Sequence, residues 1–229
     1  MKERAGREAG PARSDPSRFE SATLDGASAF FATDRPWPEG ASMRTVKQVH
    51  GDGIVVVADA GDIGIREADG LVTALRGVTL AIKTADCVAV LLSDPRSGTV
   101  AAVHAGWRGV AAGIVPRVID AMARHGASGA SIEVALGPAA GPCCYEVGDE
   151  VVAAIGAVTP GARSWLERAG GAKPHVDLRE AIRRQLAARG VARVAAHPDC
   201  TICSPRGWPS YRREGRGAGR IWATIARAV

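Results

Sequence analysis

The sequence predicts an α+β fold with mixed β-sheets in a single domain, and three observations carry that expectation. The chain has 229 residues, 46% of them hydrophobic and 23% charged, which is the size and composition of one globular core. Between Gly53 and Ala105, five short apolar runs rich in β-branched residues follow one another with Gly, Asp, Pro and Ser between them. Helical periodicity begins only afterwards, so strands run together before helices appear, unlike a regular βαβ alternation.

The elements follow in order. Residues 1 to 18 are rich in Gly, Pro, Ala and charge without apolar periodicity and read as a disordered leader, with the folded domain over 19 to 229. GIVVVA, LVT, VTLAIKT, CVAVLLSD and TVAAVHA are strands, and their nearly continuous apolarity says that both faces of the sheet are covered. Residues 109 to 125 place Val110, Ile114, Val118, Ala121 and Met122 at helical spacing, with Gly126 as the stop. Pro116 conflicts with one unbroken helix, so it either kinks the segment or marks a later start. SIEVALGP is another strand and VGDEVVAAIGA another helix. DLREAIRRQLAARG is a helix capped by Asp177 and stopped by Gly190. VARVAAHP and IWATIARAV close the chain as strands.

Charge and composition exclude several classes of partner. The formal net charge is +5, but residues 1 to 18 hold +2 and residues 206 to 220 hold +4, which leaves the remainder at −1. With only 4% aromatic residues to stack on bases, the chain is not expected to bind nucleic acid. No apolar run reaches the ~18 to 20 residues of a membrane span, and the N-terminus lacks the apolar stretch of a secretory signal. A cytoplasmic location is expected, where the five cysteines stay reduced. Their odd number also speaks against a disulfide framework. Oligomeric state has no signature here.

Potential ligands concentrate in three segments, Gln48-Val49-His50-Gly51, Thr84-Ala85-Asp86-Cys87 and His104-Ala105-Gly106-Trp107-Arg108-Gly109, each where an apolar run meets a polar or glycine turn. Two imidazoles and a thiolate suit Zn²⁺, which takes nitrogen and sulfur ligands and in catalytic sites leaves its fourth position open. The spacings, 37 residues from His50 to Cys87 and 17 from Cys87 to His104, match no short metal motif. A cysteine hydrolase with Cys87 as nucleophile and His104 as base uses some of the same residues. Copper is the less favoured metal. A single blue-copper centre takes two of the five histidines, and three are too few for a further multicopper cluster.

Taken together, KQVHG, LAIKTADCVAVLLSDP, VAAVHAGWRG, LGPAAGPCCYEVG and DCTICSPRGWPSYRREGRGAGR closely resemble the YfiH-like family, long described as laccase-domain or polyphenol oxidase proteins and since as purine nucleoside phosphorylases. The resemblance spans about residue 44 to residue 220 in the family's order, and TADC followed by HAGWRG is its most specific part. It implies a layered α/β/β/α sandwich. It also implies a zinc enzyme that phosphorolyses adenosine, inosine, guanosine and methylthioadenosine and deaminates adenosine. The metal ligands it implies are His50, Cys87 and His104, and the partners are a purine nucleoside and inorganic phosphate. The front of the chain departs from the family: Phe31-Ala32-Thr33-Asp34-Arg35 stands near an expected F-S-T-R-x-G-G-V-S, and no S-L-N-L-G follows. A zinc- or nucleoside-binding protein without turnover is therefore the non-enzymatic alternative.

Around the ligands, Asp86 is a candidate general base or orienting carboxylate. Arg108, ahead of a helix, is a candidate phosphate clamp. Gln48, Lys83 and Arg212 are candidate substrate contacts, with Arg213, Arg216 and Arg220 as further cations that reach phosphate or merely meet solvent. Trp107 and Tyr211 either stack on a purine or anchor the core. Cys143 and Cys144 read as packing residues, and Glu146 as a base or a helix-start acid. Cys200-x-x-Cys203 has the spacing of half a zinc site, but with no second CxxC a structural role is the expectation. His125, His175 and His197 lie in no ligand motif.

Overall fold

The structure, a computed structural model, describes residues 19–33, 42–59, 61, 65–161, 166–167 and 173–228. The leader expected over residues 1 to 18, and the Asp34-Arg35 pair, lie outside the described residues. In chain order the elements are strands β1 (Phe19–Leu24), β2 (Ala27–Ala32), β3 (Ser42–Arg44), β4 (Ile54–Val56), β5 (Gly70–Thr73), β6 (Val78–Thr84), β7 (Val88–Asp94) and β8 (Thr99–Ala105), then helices α1 (Trp107–Ala112) and α2 (Ile114–Ala123). After them come β9 (Glu133–Leu136), α3 (Asp149–Val158), β10 (Leu166–Glu167), β11 (His175–Val176), α4 (Leu178–Ala187), β12 (Arg193–Ala196), α5 (Tyr211–Glu214) and β13 (Ile221–Arg227).

Two mixed sheets form the layers at the centre, in the order β1-β2-β13-β6-β3 and β12-β9-β7-β8-β5-β4. The expected α+β class with mixed sheets is what is seen. Every residue of β7 and β8 is buried, as the unbroken apolar runs require, and alternation sorts them between two cores. Val88, Val90 and Leu92, with Ala101, Val103 and Ala105, pack under α1 to α4. Ala89 and Leu91, with Val100 and Ala102, pack against Leu80 and Ile82 of β6 and Ile221, Ala223 and Ile225 of β13. A fully buried valine or leucine in either layer stabilises the fold by about 1.5–3 kcal/mol. No helix among the described residues is long and apolar enough to cross a membrane.

The conflict at Pro116 resolves as a later start. Gly113 adopts φ 89 and ends α1 while capping α2, so Pro116 falls in the first turn of α2, where its missing N–H costs nothing. Asp177 caps α4 as expected, its carboxylate accepting from the amides of Arg179 and Glu180. The hairpin of β1 and β2 turns on Asp25-Gly26, with Gly26 at φ 71, and was not anticipated. The terminal strand β13 inserts between β2 and β6, antiparallel to both. That closes the five-stranded sheet around the strand that leads into Thr84.

Candidate metal centre

The site lies where the chain passes between sheets. β6 belongs to one sheet and β7 to the other, so the Ala85-Asp86-Cys87 turn bridges the layers and holds the thiol at their shared end. His104 sits one residue before the end of β8, paired across from Ala89 and sharing the face of Val100 and Ala102. His50 comes from the loop between β3 and β4 and adopts φ 59, while Asp86 adopts φ 82. Left-handed backbone at two non-glycine residues is a strained arrangement that surrounding contacts must hold.

One buried carboxylate does that holding for the histidines. Asp69, fully buried, accepts the backbone N–H groups of Val49 (3.2 Å), His50 (3.0 Å) and Gly51 (2.7 Å). Its Oδ1 also lies 2.7 Å from His104 Nδ1, and its carbonyl accepts the His104 amide at 2.7 Å. A carboxylate there fixes the proton on Nδ1 and leaves Nε2 free to act as a ligand. The rings of His50 and His104 stand edge to face, 4.8 Å between centroids. The ligand atoms of His50, Cys87 and His104 all lie within 4.8 Å of one another, so the three residues proposed from sequence converge into one group able to hold a metal.

The surroundings fit such a group. A Cβ on Gly106 would stand 3.1 Å from Cys87 Sγ and 3.3 Å from His50 Cδ2, so only glycine leaves this space open. Burial works to raise the Cys87 thiol, but hydrogen bonds to His104 and His50 outweigh it and bring it down to about 7. Burial likewise opposes charge on His104, yet Asp69 and Cys87 raise it to about 9. Asp69 stays below its usual range: burial pushes it up, and the His104 ring and the Gly51 and Val49 amides pull it further down.

The centre opens into a cavity of about 900 Å³ that Gln48, Lys83, Asp86, Tyr145 and Arg212 also line. Asp86 Oδ1 accepts the Thr201 hydroxyl at 2.6 Å and its Oδ2 the Arg212 amide at 2.7 Å. Gln48 brackets the backbone of Lys83, donating to its carbonyl (2.7 Å) and accepting its amide (2.8 Å), which ties the His50 loop to the edge of β6. Arg108 is not in the lining: it is exposed, with its guanidinium 4.5 Å from the Trp107 ring. Trp107 packs against the helical core, and Tyr211, 53% exposed, is the aromatic of that pair that reaches the cavity. His197 pairs with Glu20 and His175 with the Pro142 carbonyl, both away from the centre.

Sequence reasoning missed Asp69, Tyr145 and Thr201, and gave Thr84 no role beyond its place in the Thr84–Cys87 segment. Tyr145 carries a phenol raised to about 12, first by burial and then by the negative charge at Cys87. The Thr84 hydroxyl is buried, lines the cavity and has no hydrogen-bond partner among the described residues.

One glycine tests how tightly the His50 loop is seated. A Cβ on Gly109 in α1 would come 2.7 Å from the Gly51 carbonyl oxygen. Helix propensity alone would favour Gly109→Ala by ~1 kcal/mol. The clash with fixed backbone should reverse the sign to a loss of about 1–3 kcal/mol, read as a lower urea midpoint together with weaker metal retention. A variant more stable than the wild type would show that the loop yields freely.

A sequence profile described as multi-copper polyphenol oxidoreductase laccase matches residues 31–228. The chain belongs to that family. Among the relatives of this chain is "Purine nucleoside phosphorylase SCO2081" of Streptomyces coelicolor, 44% identical over 181 residues that cover 77% of this chain and 73% of the relative. "Adenosine deaminase RL5", from an unknown prokaryotic organism, is 38% identical over 192 residues, covering 79% and 73%. Two solved structures share the laccase-family fold. They are the hypothetical protein YfiH of Bacillus licheniformis (TM-score 0.80, 25% identity, 88% of this chain and 93% of that one) and NMB0706 of Neisseria meningitidis (TM-score 0.81, 26% identity, 92% and 99%). The resemblance carried by TADC and HAGWRG is thereby borne out.

Proposed function

We propose that the protein is a zinc-dependent enzyme of purine nucleosides, cleaving adenosine, inosine, guanosine and methylthioadenosine with phosphate and deaminating adenosine. One observation carries the reading: Asp69 aims two histidines at Cys87 on the floor of a cavity large enough for a nucleoside and rimmed by cations. Relatives named for both activities support it. His50, Cys87 and His104 would hold the metal, two nitrogens and one sulfur being a donor set zinc favours. When bound, zinc supplies Lewis-acid chemistry at neutral pH.

The chain's own groups divide the remaining work. Arg212 and Lys83 present positive charge to phosphate, and Arg220 lines the same cavity. Tyr145 and Tyr211 offer ring faces to a purine. The unpartnered Thr84 hydroxyl is suited to a polar atom of the nucleoside. Asp86 accepts two hydrogen bonds already but keeps a second lone pair on each oxygen, so it can orient a substrate N–H or take a proton. Arg108, outside the lining, would meet phosphate only after its side chain leaves the Trp107 ring. Copper suits the chain poorly, because the histidines beyond the centre lie apart and no second group of His ligands forms among the described residues. The cytoplasmic location expected from the sequence goes with this reading.

A second reading has a specific observation behind it. Cys87, His104 and Asp69 line up as nucleophile, base and orienting carboxylate, with the thiol at about 7. That triad leaves unexplained why His50 adopts strained backbone to reach the same sulfur. Supplying the zinc-loaded protein with each nucleoside, with and without phosphate, and following free base, ribose-1-phosphate and inosine decides the matter. Activity that a chelator abolishes and zinc restores supports the proposal. Activity that survives chelation and dies on alkylation supports the triad, and no product from any nucleoside leaves a binding protein.

A further inference from the structure

Away from this centre the fold assembles a second set of donors. Cys143 and Cys144 lie in the turn after β9, and Cys200 and Cys203 in the loop after β12. All four sulfurs lie within 4.8 Å of one another. We propose that these cysteines form a second metal site, holding a structural zinc ion in all-thiolate coordination and locking the 141–145 turn to the 200–213 loop.

The spacing is that of ligands around a shared ion. A tetrahedral zinc at about 2.3 Å from each sulfur separates the sulfurs by roughly 3.8 Å, and Cys143 Sγ stands 3.6 Å from Cys203 Sγ. A disulfide brings two sulfurs to about 2.05 Å, and all four cysteines are free thiols here. The half-site left without a partner in the sequence finds it in Cys143-Cys144, because a parallel bridge sets Ala139 beside Cys200 and the Thr201 amide donates to the Ala139 carbonyl at 3.0 Å.

A backbone amide already reaches the buried sulfur: Cys200 Sγ accepts the Gly141 N–H at 3.3 Å, as amides around a metal-bound thiolate do. Gly141 is closely packed against the group: a Cβ there would sit a tight 3.3 Å from Cys200 Cβ and from Arg179 Nη2, and 3.5 Å from Cys143 Sγ. Four thiolates around Zn²⁺ carry a net charge of −2, their four protons passing to solvent. Arg179, which donates to the Asp199 carbonyl at 2.9 Å, places a cation beside that charge. Four ligands leave no open position, so the site is structural. It braces the first centre: Tyr145 follows Cys144 directly, Thr201 of the same loop donates to Asp86, and Arg213 donates to the carbonyls of Thr201 and Ile202.

Metal counting tests this independently of the nucleoside reading. The full chain, reconstituted with Zn²⁺ under reducing conditions, should carry two zinc ions, and the Cys87→Ser variant one. Co²⁺ added to Cys87→Ser should give the thiolate charge-transfer band and visible d–d bands of tetrahedral sulfur coordination. Cys200→Ser/Cys203→Ser should keep a single ion at the first centre. Should that variant not fold, the wild type still answers. Iodoacetamide should spare Cys143 and Cys203, both exposed, in the zinc-loaded protein and label them after chelation, read by peptide mass spectrometry. Labelling indifferent to zinc, no cobalt bound to Cys87→Ser, or an intact mass two hydrogens lighter per cysteine pair would each overturn the site.

Discussion

On the proposed zinc centre, the Cys87→Ser variant is expected to lose the ion that Cys87 would hold with His50 and His104, and with it on the order of 10³-fold in kcat/KM on purine nucleosides, the equivalent of ~4 kcal/mol of transition-state stabilisation. A serine hydroxyl occupies nearly the same volume, so the fold should survive, but it does not ionise near neutral pH and is no match for a thiolate as a zinc ligand. The centre is set for that thiolate, since hydrogen bonds from two imidazoles hold Cys87 down to about 7 against the effect of burial. His50→Ala separates this account from the triad. A cysteine nucleophile needs only His104 and Asp69 and would keep most activity without His50, whereas the zinc centre loses one of three ligands and should fall by a similar factor. Metal content by mass spectrometry, read beside nucleoside turnover, checks both. A His50→Ala protein with wild-type turnover would sink the zinc mechanism.

The convergence of His50, Cys87 and His104 was legible in the sequence because each lies in a recognisable motif, with Cys87 and His104 at strand ends and His50 in the loop between β3 and β4. The strands of the core were legible for a related reason: β7 and β8 are buried on both faces, and a segment with no solvent face has to be mostly apolar, whereas β6 keeps Lys83 exposed on one face. β1 and β2 escaped notice because FESATL and ASAFFA are mostly small or polar residues that pattern weakly, although Asp25-Gly26 is a strong hairpin signal. Arg108 shows the limit of reading position alone. Its place at the start of a helix was right, but stacking on Trp107 decides where the guanidinium points. Cys143 and Cys144, separated from Cys200 by more than fifty positions in the chain, meet it only through the pairing at Ala139.

Asp69 was the least legible residue of all, for in EADGLVT it looks like an ordinary turn former, and its role exists only once β5 pairs with β8. Gly70 opposite Val103 sets Asp69 beside His104, and the loop of His50 then closes over the same carboxylate. Asp69→Asn is therefore expected to weaken zinc binding by about 10–100-fold while keeping the shape of the side chain. An amide has one oxygen where the carboxylate has two. If its NH₂ replaces Oδ2 it confronts the Val49 and Gly51 amides, and if it replaces Oδ1 it confronts the His50 amide and drives the His104 proton from Nδ1 to Nε2, the nitrogen the metal needs. Either way a buried donor goes unmet, at a cost of ~1–3 kcal/mol that should appear in urea melts of the chelated protein. Because Asp69 is held below its usual range, its contribution is complete above the ordinary carboxylate range and is lost as pH falls through the depressed folded value. The Asn variant should accordingly lack that part of the acid slope. Chelator competition gives the affinity, and a variant binding zinc as tightly as the wild type would show that Asp69 supports the fold without orienting the ligands.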